Sequence, residues 1–358
     1  MSRILFLLKK REDYHQTLHN SPGLITGLHN SAMFMHEMLL ANDVNSRMSI
    51  VVDGNCVDRE VTQWRPSHVI IEALWVTPEK IAQLQRLHPM VKWVIRLHSE
   101  IPFMANEGIA MDWLGDYSTL NNVVIAANAP RACREVQEYL SMLNGWDQKT
   151  ADQRVIYLPN YYPQQYKTKK LDRTSEFVDV GCFGAVRPLK NHLIQALAAV
   201  EFAERIGKKL RFHINGNRVE QKGQPVLNNL LGFFQQINHT GHTMVMHDWL
   251  DRPEFLELCG QMDVGLQVSF SETFNIVGAD IVSQGVPLVC SSELPWGIHV
   301  FCANPTDSRA IAQRLLMAYR WPQINTATHR WSLDHYTRRT QRIWVKYFKR
   351  TESWESIQ

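Results

Sequence analysis

The stretch VSFSETFNIVGADIVSQGVPLVCSS, residues 268–292, concentrates the side chains best suited to chemistry. An apolar run ends near Val268, and a polar turn then presents Ser269, Ser271 and Glu272. A helical pattern follows from Thr273 to Gln284, with Asp280 at the eighth position after Glu272. Eight residues are about two helical turns, so the two carboxylates can look toward one side of the helix. The N–H groups of Thr273, Phe274, Asn275 and Ile276 fall at the predicted helix start, where they have no intrahelical acceptors. A helix start of this kind is a natural seat for a diphosphate. Gly285-Val286-Pro287 then returns the chain to a strand. The chemistry on offer is the binding of a diphosphate beside two carboxylates.

Such a turn must be held by a sheet, and the pattern supplies two. In the first half, short Val- and Ile-rich runs cover residues 4–8, 49–53, 68–72, 92–97, 123–126 and 155–158. Continuous runs of this length suit strands buried on both faces of a parallel sheet. Helical patterns lie between them at residues 30–41, from Thr77-Pro78 onward, and at 130–143. Residues 163–176, PQQYKTKKLDRTSE, are polar and without periodicity, as a linker would be. The alternation restarts with strands at 178–182, 210–214, 243–247, 264–268 and 286–290, and helices at 191–206, 225–236, 253–260, 273–284 and 308–319. A last helical stretch, 335–350, is basic and aromatic. The expected class is α/β, with two Rossmann-like domains facing across a cleft and a C-terminal helix crossing back. The expected boundaries are 1–165, a linker at 166–177, 178–334, and a helix and tail at 335–358.

Length and composition agree. At about 150 residues per domain, 358 residues make about two domains. Hydrophobic residues are 45% and charged residues 20%, ordinary for a globular chain. Net charge is +3, which excludes acidic tails and clamping of nucleic acid by bulk charge alone. The cysteines, Cys56, Cys133, Cys182, Cys259, Cys290 and Cys302, form no C-x-x-C pair, so zinc-ribbon and disulfide-framework readings fail on spacing and buried free thiols are expected. No apolar run approaches the ~18–20 residues of a membrane span. Residues 4–8 are followed by Lys9-Lys10-Arg11 rather than a cleavage site, which reads as a first strand and a cytoplasmic chain.

Glu272-x-Phe274, Asp280 and Gly285-Val286-Pro287 resemble the E-x7-E signature of retaining, nucleotide-sugar-dependent glycosyltransferases of the GT-B fold. Val180-Gly181-Cys182-Phe183-Gly184 with Lys190 resembles that family's diphosphate-binding strand, loop and helix. His213-Ile214-Asn215-Gly216-Asn217 resembles its next strand, and the stretch from His247-Asp248-Trp249-Leu250 to Met262-Asp263-Val264 resembles the segment leading to the donor site. In the first half, Leu97-His98-Ser99-Glu100 resembles its donor-facing histidine loop and Leu158-Pro159-Asn160 its closing asparagine turn. The resemblance implies that Asp280 holds ribose hydroxyls, Glu272 holds sugar hydroxyls, and Lys190 with Arg187 offsets the charge of the leaving diphosphate. It places His98 over the donor sugar. It assigns Gly184, Gly216, Thr273, Phe274, Asn275, Ile276 and Gly27 to donor binding, with Gly23 the other candidate for the first glycine turn. It implies no tightly bound cofactor and no metal for chemistry; no D-x-D triplet occurs. A UDP-sugar is the expected donor, from family frequency.

The chain also departs from the family pattern. The second acid is Asp280, not glutamate; Asn275 replaces a glycine; Ala185 follows Gly184 where arginine is usual. Each residue has a plainer reading as well: His98 as a core histidine, Arg187 as a surface cation, Glu100 as a helix cap, and Trp75, Trp93 and Trp113 as core packing. Stretches such as VKWVIRLHSEIPFMANEGIAMDW further resemble glycosyltransferases of tailed bacteriophages. That implies hydroxymethylated pyrimidines in DNA as acceptor, in the host cytoplasm. Residues 1–171 carry 18 basic and 17 acidic side chains, so phosphate contacts would need local clusters: Lys9-Lys10-Arg11, Lys167-Lys169-Lys170, or Arg338, Arg339, Arg342, Lys346, Lys349 and Arg350. The alternatives are a small-molecule, glycan or protein acceptor, and a non-catalytic nucleotide-binding protein. A phosphorylase would carry a pyridoxal phosphate lysine motif, which is not found.

Overall fold

A computed structural model describes residues 2–10, 27–169, 173–220 and 222–350, with Arg350 described in its backbone only. Gly23, Arg11 and Lys170 lie outside the described residues. The chain divides into two compact units, Met1–Pro163 with Thr337–Gln358, and Gln164–Tyr336.

The first unit runs β1 (Arg3–Lys9), α1 (Gly27–Leu40), β2 (Asn45–Val51), α2 (Cys56–Trp64), β3 (His68–Glu72), α3 (Pro78–Leu87), β4 (Lys92–Leu97), α4 (Ile101–Met104), α5 (Ala110–Thr119), β5 (Val123–Ala127), α6 (Pro130–Asn144), α7 (Gln148–Arg154) and β6 (Val155–Tyr157). The six strands form one parallel sheet in the order β2-β1-β3-β4-β5-β6. Successive side chains point to opposite faces, and both faces are covered. Leu5, Leu7, Ile71, Trp93 and Ile95 pack under α2, α3, α5 and α6. Ile4, Phe6, Ile70 and Val94 pack under α1 and under Trp344 and Phe348 of the C-terminal helix. Continuous apolar runs follow from that double burial. Trp93 is buried, while Trp75 and Trp113 are partly buried against the same core. Thr77 caps α3 by accepting from the Lys80 N–H at 3.2 Å, with Pro78 in the first turn.

The second unit runs β7 (Phe177–Val186), α8 (His192–Arg205), β8 (Lys209–Val219), α9 (Gln224–Gln236), β9 (Thr243–Met246), α10 (Arg252–Gln261), β10 (Val264–Gln267), α11 (Ile276–Ser283), β11 (Leu288–Cys290), α12 (Ser308–Arg320) and the first half of α13 (Pro322–Arg350), whose residues from Thr337 on belong to the first unit. Its sheet is parallel, ordered β11-β10-β7-β8-β9. Strand order reverses between β7 and β10, and such sheets bind ligands outside the carboxyl ends of the strands at that point.

The elements that differ from expectation include the following three. β2 lies at Asn45–Val51, not 49–53. It is an edge strand with only Ser46 and Val51 buried, so it needs no continuous apolar run. α11 begins at Ile276, not Thr273. α13 begins at Pro322, not His335. Its first half hides its period because polar side chains face inward: Asn325 accepts from the Leu288 N–H at 2.8 Å and donates to the Leu288 carbonyl at 2.9 Å. An amide thereby supplies the hydrogen bonds a further strand would give at the β11 edge. Residues 164–169 belong to the second unit, where the Lys167 N–H donates to the Ser283 carbonyl at 2.7 Å. All six cysteines are free thiols.

Candidate functional site

Two strand ends and two helix starts meet at the switch point of the second sheet. β7 ends at Val186 and a short turn, Pro188–Lys190, leads into α8. β10 ends at Gln267 and a loop leads into α11. Buried amides tie these pieces together. Gln195 accepts from the Val268 N–H at 2.7 Å, and Asn191 donates to the Val268 carbonyl at 3.0 Å. Gln267 donates to the Phe183 carbonyl at 3.1 Å and accepts from Asn275 at 2.8 Å. The Phe270 N–H donates to the Leu189 carbonyl at 2.9 Å.

That frame brings Lys190 and Glu272 into a buried ion pair, with side chains 10% and 8% exposed. Burial pushes the Lys190 ammonium below the ordinary lysine range; Glu272 opposes that shift and Arg187 adds to it. The neighbouring His192, at the first position of α8, is driven down to about 3 by burial and by the Lys190 and Arg187 charges, so it is neutral. Gly184 has φ +113° and faces the Lys190 stem, where an added Cβ would stand 3.7 Å from Cε. Its N–H donates to Asn215 Oδ1 at 2.9 Å. Arg187 lies 3.8 Å from Glu220, which also pairs with Arg218 at 2.6 Å, so it shares its counter-charge.

The predicted anion seat is narrower than the sequence pattern suggests. Thr273, Phe274 and Asn275 precede the helix, and of the four expected N–H groups that of Ile276 belongs to its first turn. Asn275 is the N-cap: its φ is +60°, and its Oδ1 accepts from the Gly278 N–H at 2.8 Å. The left-handed backbone explains why an asparagine can stand where a glycine is usual. Asn191 has φ +59° at the start of α8 for the same reason. Phe274 is buried against Trp296 and Tyr336 and serves packing. A Cβ on Gly216 would lie 2.7 Å from the Met246 sulfur, so this glycine makes room for a neighbouring strand end. Gly27 opens α1, in the first unit.

Asp280 is buried on α11 and meets Arg252 of α10, Nη1 to Oδ1, at 2.8 Å. Glu272 and Asp280 are therefore not two carboxylates on one helical face. Each has its own cation, one from the β7 loop and one from α10.

His98 belongs to the first unit, one residue past β4. It donates from Nε2 to Glu72, and Arg96 reaches both Glu72 oxygens at 3.1 and 3.2 Å. Arg96 also donates to the carbonyls of Leu158 and Pro159 and to Asn160 Oδ1. Burial acts to raise the Glu72 carboxyl, but the Arg96 and His98 charges outweigh it and hold it below the usual range. Burial lowers His98 despite Glu72. Glu100 makes no helix-capping bond and pairs with Arg131. Glu72, Arg96, Arg252 and Gln195 escape sequence reading because they lie inside a strand or helix pattern. A charged residue interrupting each of the runs 68–72 and 92–97 is the one available signal.

Among the described residues no group of three or more His, Cys, Asp or Glu side chains is arranged to hold a metal ion, and no helix is long and apolar enough to cross a membrane.

No family model and no curated protein matches the chain in sequence. Solved structures do match in shape along its whole length. Sucrose-phosphate synthase from Thermosynechococcus elongatus is 14% identical with a TM-score of 0.69, covering 99% of this chain and all of its own. Anabaena Alr3699/HepE in complex with UDP and glucose is 12% identical with a TM-score of 0.62, covering 98% of this chain and all of its own. The trehalose 6-phosphate synthase of Burkholderia multivorans is 11% identical with a TM-score of 0.64, over 85% of this chain and 75% of its own. The likeness shows the fold: two Rossmann-like parallel-sheet domains of the GT-B glycosyltransferase type.

Proposed function

We propose that this chain is a nucleotide-sugar-dependent glycosyltransferase that uses a UDP-sugar and retains configuration at the anomeric carbon. The observation that carries the reading is the buried Lys190–Glu272 pair at the switch point of the second sheet, with Asp280 nearby on α11. The end-to-end likeness to a protein solved with UDP and glucose supports the choice of donor.

In this reading the second unit binds the donor. Asp280 takes the ribose hydroxyls and Glu272 those of the sugar. The Lys190 ammonium, with the first turn of α8 and the Ile276 N–H, faces the diphosphate. As the bond from the anomeric carbon to the diphosphate breaks, negative charge gathers on the leaving oxygen. A cation held in a dry site stabilises that charge far better than one in water. The acceptor hydroxyl forms the new bond from the same face, and its proton passes to the leaving diphosphate. For His98, paired with Glu72 in the first unit, a sugar-facing role rests on the family resemblance alone. In this reading no metal takes part in the chemistry.

Two acceptor classes are to be tested. A small sugar or sugar phosphate is favoured by the synthases among the similar structures. No similar structure supports hydroxymethylated DNA, for which the exposed Arg339, Arg342, Lys346 and Lys349 on α13 would be the phosphate contacts. The Lys167–Lys169 cluster is less suited, because Lys169 is committed to the Met262 carbonyl. The test is a transfer assay with UDP- and GDP-sugars, offered glucose, fructose 6-phosphate, glucose 6-phosphate, or DNA containing 5-hydroxymethylcytosine or 5-hydroxymethyluracil. A sugar-sized mass gain on one acceptor, absent in Glu272→Ala, supports transfer and names the acceptor. No gain and no nucleotide release from any donor refutes the enzyme reading and leaves nucleotide binding alone.

A further inference from the structure

β11 ends at Cys290, and the chain returns beside it at Cys302, which pairs with Cys290 as in a parallel sheet. The Ala303 N–H donates to the Cys290 carbonyl at 2.9 Å. Register partners carry their side chains on one face, and here the two sulfurs lie 3.7 Å apart, in contact. Neighbouring strands run about 4.8 Å apart, inside the range of about 4.4–6.8 Å over which a disulfide can bridge two Cα atoms.

The two thiols are not equivalent. Cys290 is fully enclosed, whereas Cys302 is half-buried. The hydrogen bond with Cys290 holds the Cys302 thiol below the usual thiol range, and Arg314 of α12 assists against burial. The same hydrogen bond, with burial, pushes the Cys290 thiol well up. Cys302 is therefore the nucleophile of the pair. Only a small oxidant suits a half-buried thiol, and hydrogen peroxide is one.

Residues 291–301 form a loop between the two cysteines, and this loop props the turn that carries Glu272. Trp296 is 1% exposed and donates its indole N–H to the Phe274 carbonyl at 2.8 Å. The base of the loop is tied to the two sulfurs. The Cys302 thiol lies 3.6 Å from the Ser291 carbonyl oxygen and 3.5 Å from that of Ile298. A Cβ on Gly297, next to Trp296, would stand 3.0 Å from the Cys290 sulfur. Closing the sulfurs from 3.7 Å to the about 2.0 Å of a disulfide draws Cys302 off those carbonyls and disturbs the packing beside Trp296.

We propose that Cys290 and Cys302 are a redox-active pair: hydrogen peroxide joins them as a disulfide, and the closure loosens Trp296 from the Phe274 carbonyl and with it the Glu272 turn. First the Cys302 thiolate attacks one peroxide oxygen. The O–O bond breaks, Cys302 becomes a sulfenic acid, and the departing hydroxide takes up the proton that Cys302 gave up. Then the Cys290 sulfur attacks the Cys302 sulfur. The S–O bond breaks, and the hydroxide leaves with the Cys290 proton as water. Two thiols lose two electrons in all, and one peroxide becomes two waters. The effect on donor binding rests on the reading of the second unit as the donor-binding unit.

The test treats the full chain with hydrogen peroxide, alkylates the remaining thiols and weighs the peptides. Wild type should lose two hydrogens in a species linking Cys290 to Cys302 and regain them with dithiothreitol. Hydrogen exchange in the oxidised protein should quicken at residues 270–276 and 291–301. UDP-glucose affinity should fall about 2- to 12-fold, as for one lost neutral hydrogen bond, and return on reduction. Cys290→Ala and Cys302→Ser should show none of these responses, and Cys302→Ser serves where the buried Cys290→Ala does not fold. Cys56→Ser, outside the pair, should respond as wild type does. Failure of the bond to form, or a bond with unchanged exchange, overturns the inference; the donor reading stands wherever the reduced protein binds UDP-glucose. A linked pair with faster exchange in a protein that never binds UDP-glucose supports the redox pair and overturns the donor reading.

Discussion

Replacing Glu272 with glutamine keeps the side-chain shape and removes one charge from a pair whose members are 8% and 10% exposed. The hydrogen bond from Lys190 then loses its ionised acceptor, at a cost of about 1.5–3 kcal/mol. At about 2–4 °C per kcal/mol for a domain of this size, the melting temperature should fall by roughly 3–12 °C. The Lys190 ammonium already lies below the ordinary lysine range because of burial, and Glu272 is the contribution that holds it up. Without it the pKa drops further. UDP binding depends on the charged form, so affinity is present at low pH and lost as pH rises through the Lys190 pKa. That loss should begin at lower pH in the variant than in the wild type. The stability sign is separate. An unfolded lysine binds its proton more tightly than Lys190 does, so stability rises with pH between the folded and unfolded pKa values, over a wider window in the variant. At pH 6, where the ammonium persists, UDP should bind the variant as tightly as the wild type or more tightly, since Lys190 no longer shares its charge. Transfer from UDP-glucose should fall about 10- to 150-fold if Glu272 holds sugar hydroxyls in the transition state. Calorimetric UDP titration across pH 6–10, beside single-turnover rates, measures both. A variant with tenfold weaker UDP binding at pH 6 and an unchanged pH profile refutes the reasoning, because Lys190 would then be neither tuned by Glu272 nor placed at the diphosphate.

Glu72→Gln leaves Arg96 without a charge partner in a fully buried position and should cost about 3–5 kcal/mol in urea unfolding at pH 7. In the wild type the depressed Glu72 carboxyl contributes stability above the unfolded glutamate pKa and loses it as pH falls through the lower folded value, so unfolding curves at pH 7, 4 and 3 should show the variant's deficit shrinking. Asn275→Gly keeps a backbone suited to φ +60° but leaves the buried Gln267 oxygen without its donor and should cost about 1–3 kcal/mol, and Asn275→Ala, which also strains the backbone, should cost more by thermal melt. Gly223→Ala would set a Cβ 2.0 Å from the Val186 carbonyl oxygen, beside the end of β7, and should lower both expression and melting temperature unless the loop moves.

The strand ends at β3, β4 and β10 were readable because doubly buried parallel strands are continuous apolar runs bounded by polar turns, whereas β7 runs past the expected end at 182 to Val186. Lys190, Glu272 and Asp280 were readable as types at set distances along the chain. The start of α11 was not, because SETFN is compatible with a helix by composition; the left-handed Asn275 and its bond to Gly278 decide where the helix begins. The first half of α13 was missed because Asn325 and His329 face inward for hydrogen bonding, which breaks the apolar period.

The chain's own pattern determined two α/β units and which loops could bear ligand chemistry, because strand burial and turn chemistry are local properties written into short stretches. Which charge answers which was decided by the tertiary structure alone. Lys190 and Glu272 stand 82 positions apart, and nothing in the chain order selects Arg252 as the partner of Asp280 or Arg96 as that of Glu72. The order β11-β10-β7-β8-β9 places the β7 and β10 loops side by side. Burial then makes pairing compulsory, since a lone charge in that interior would cost more than the domain could spare.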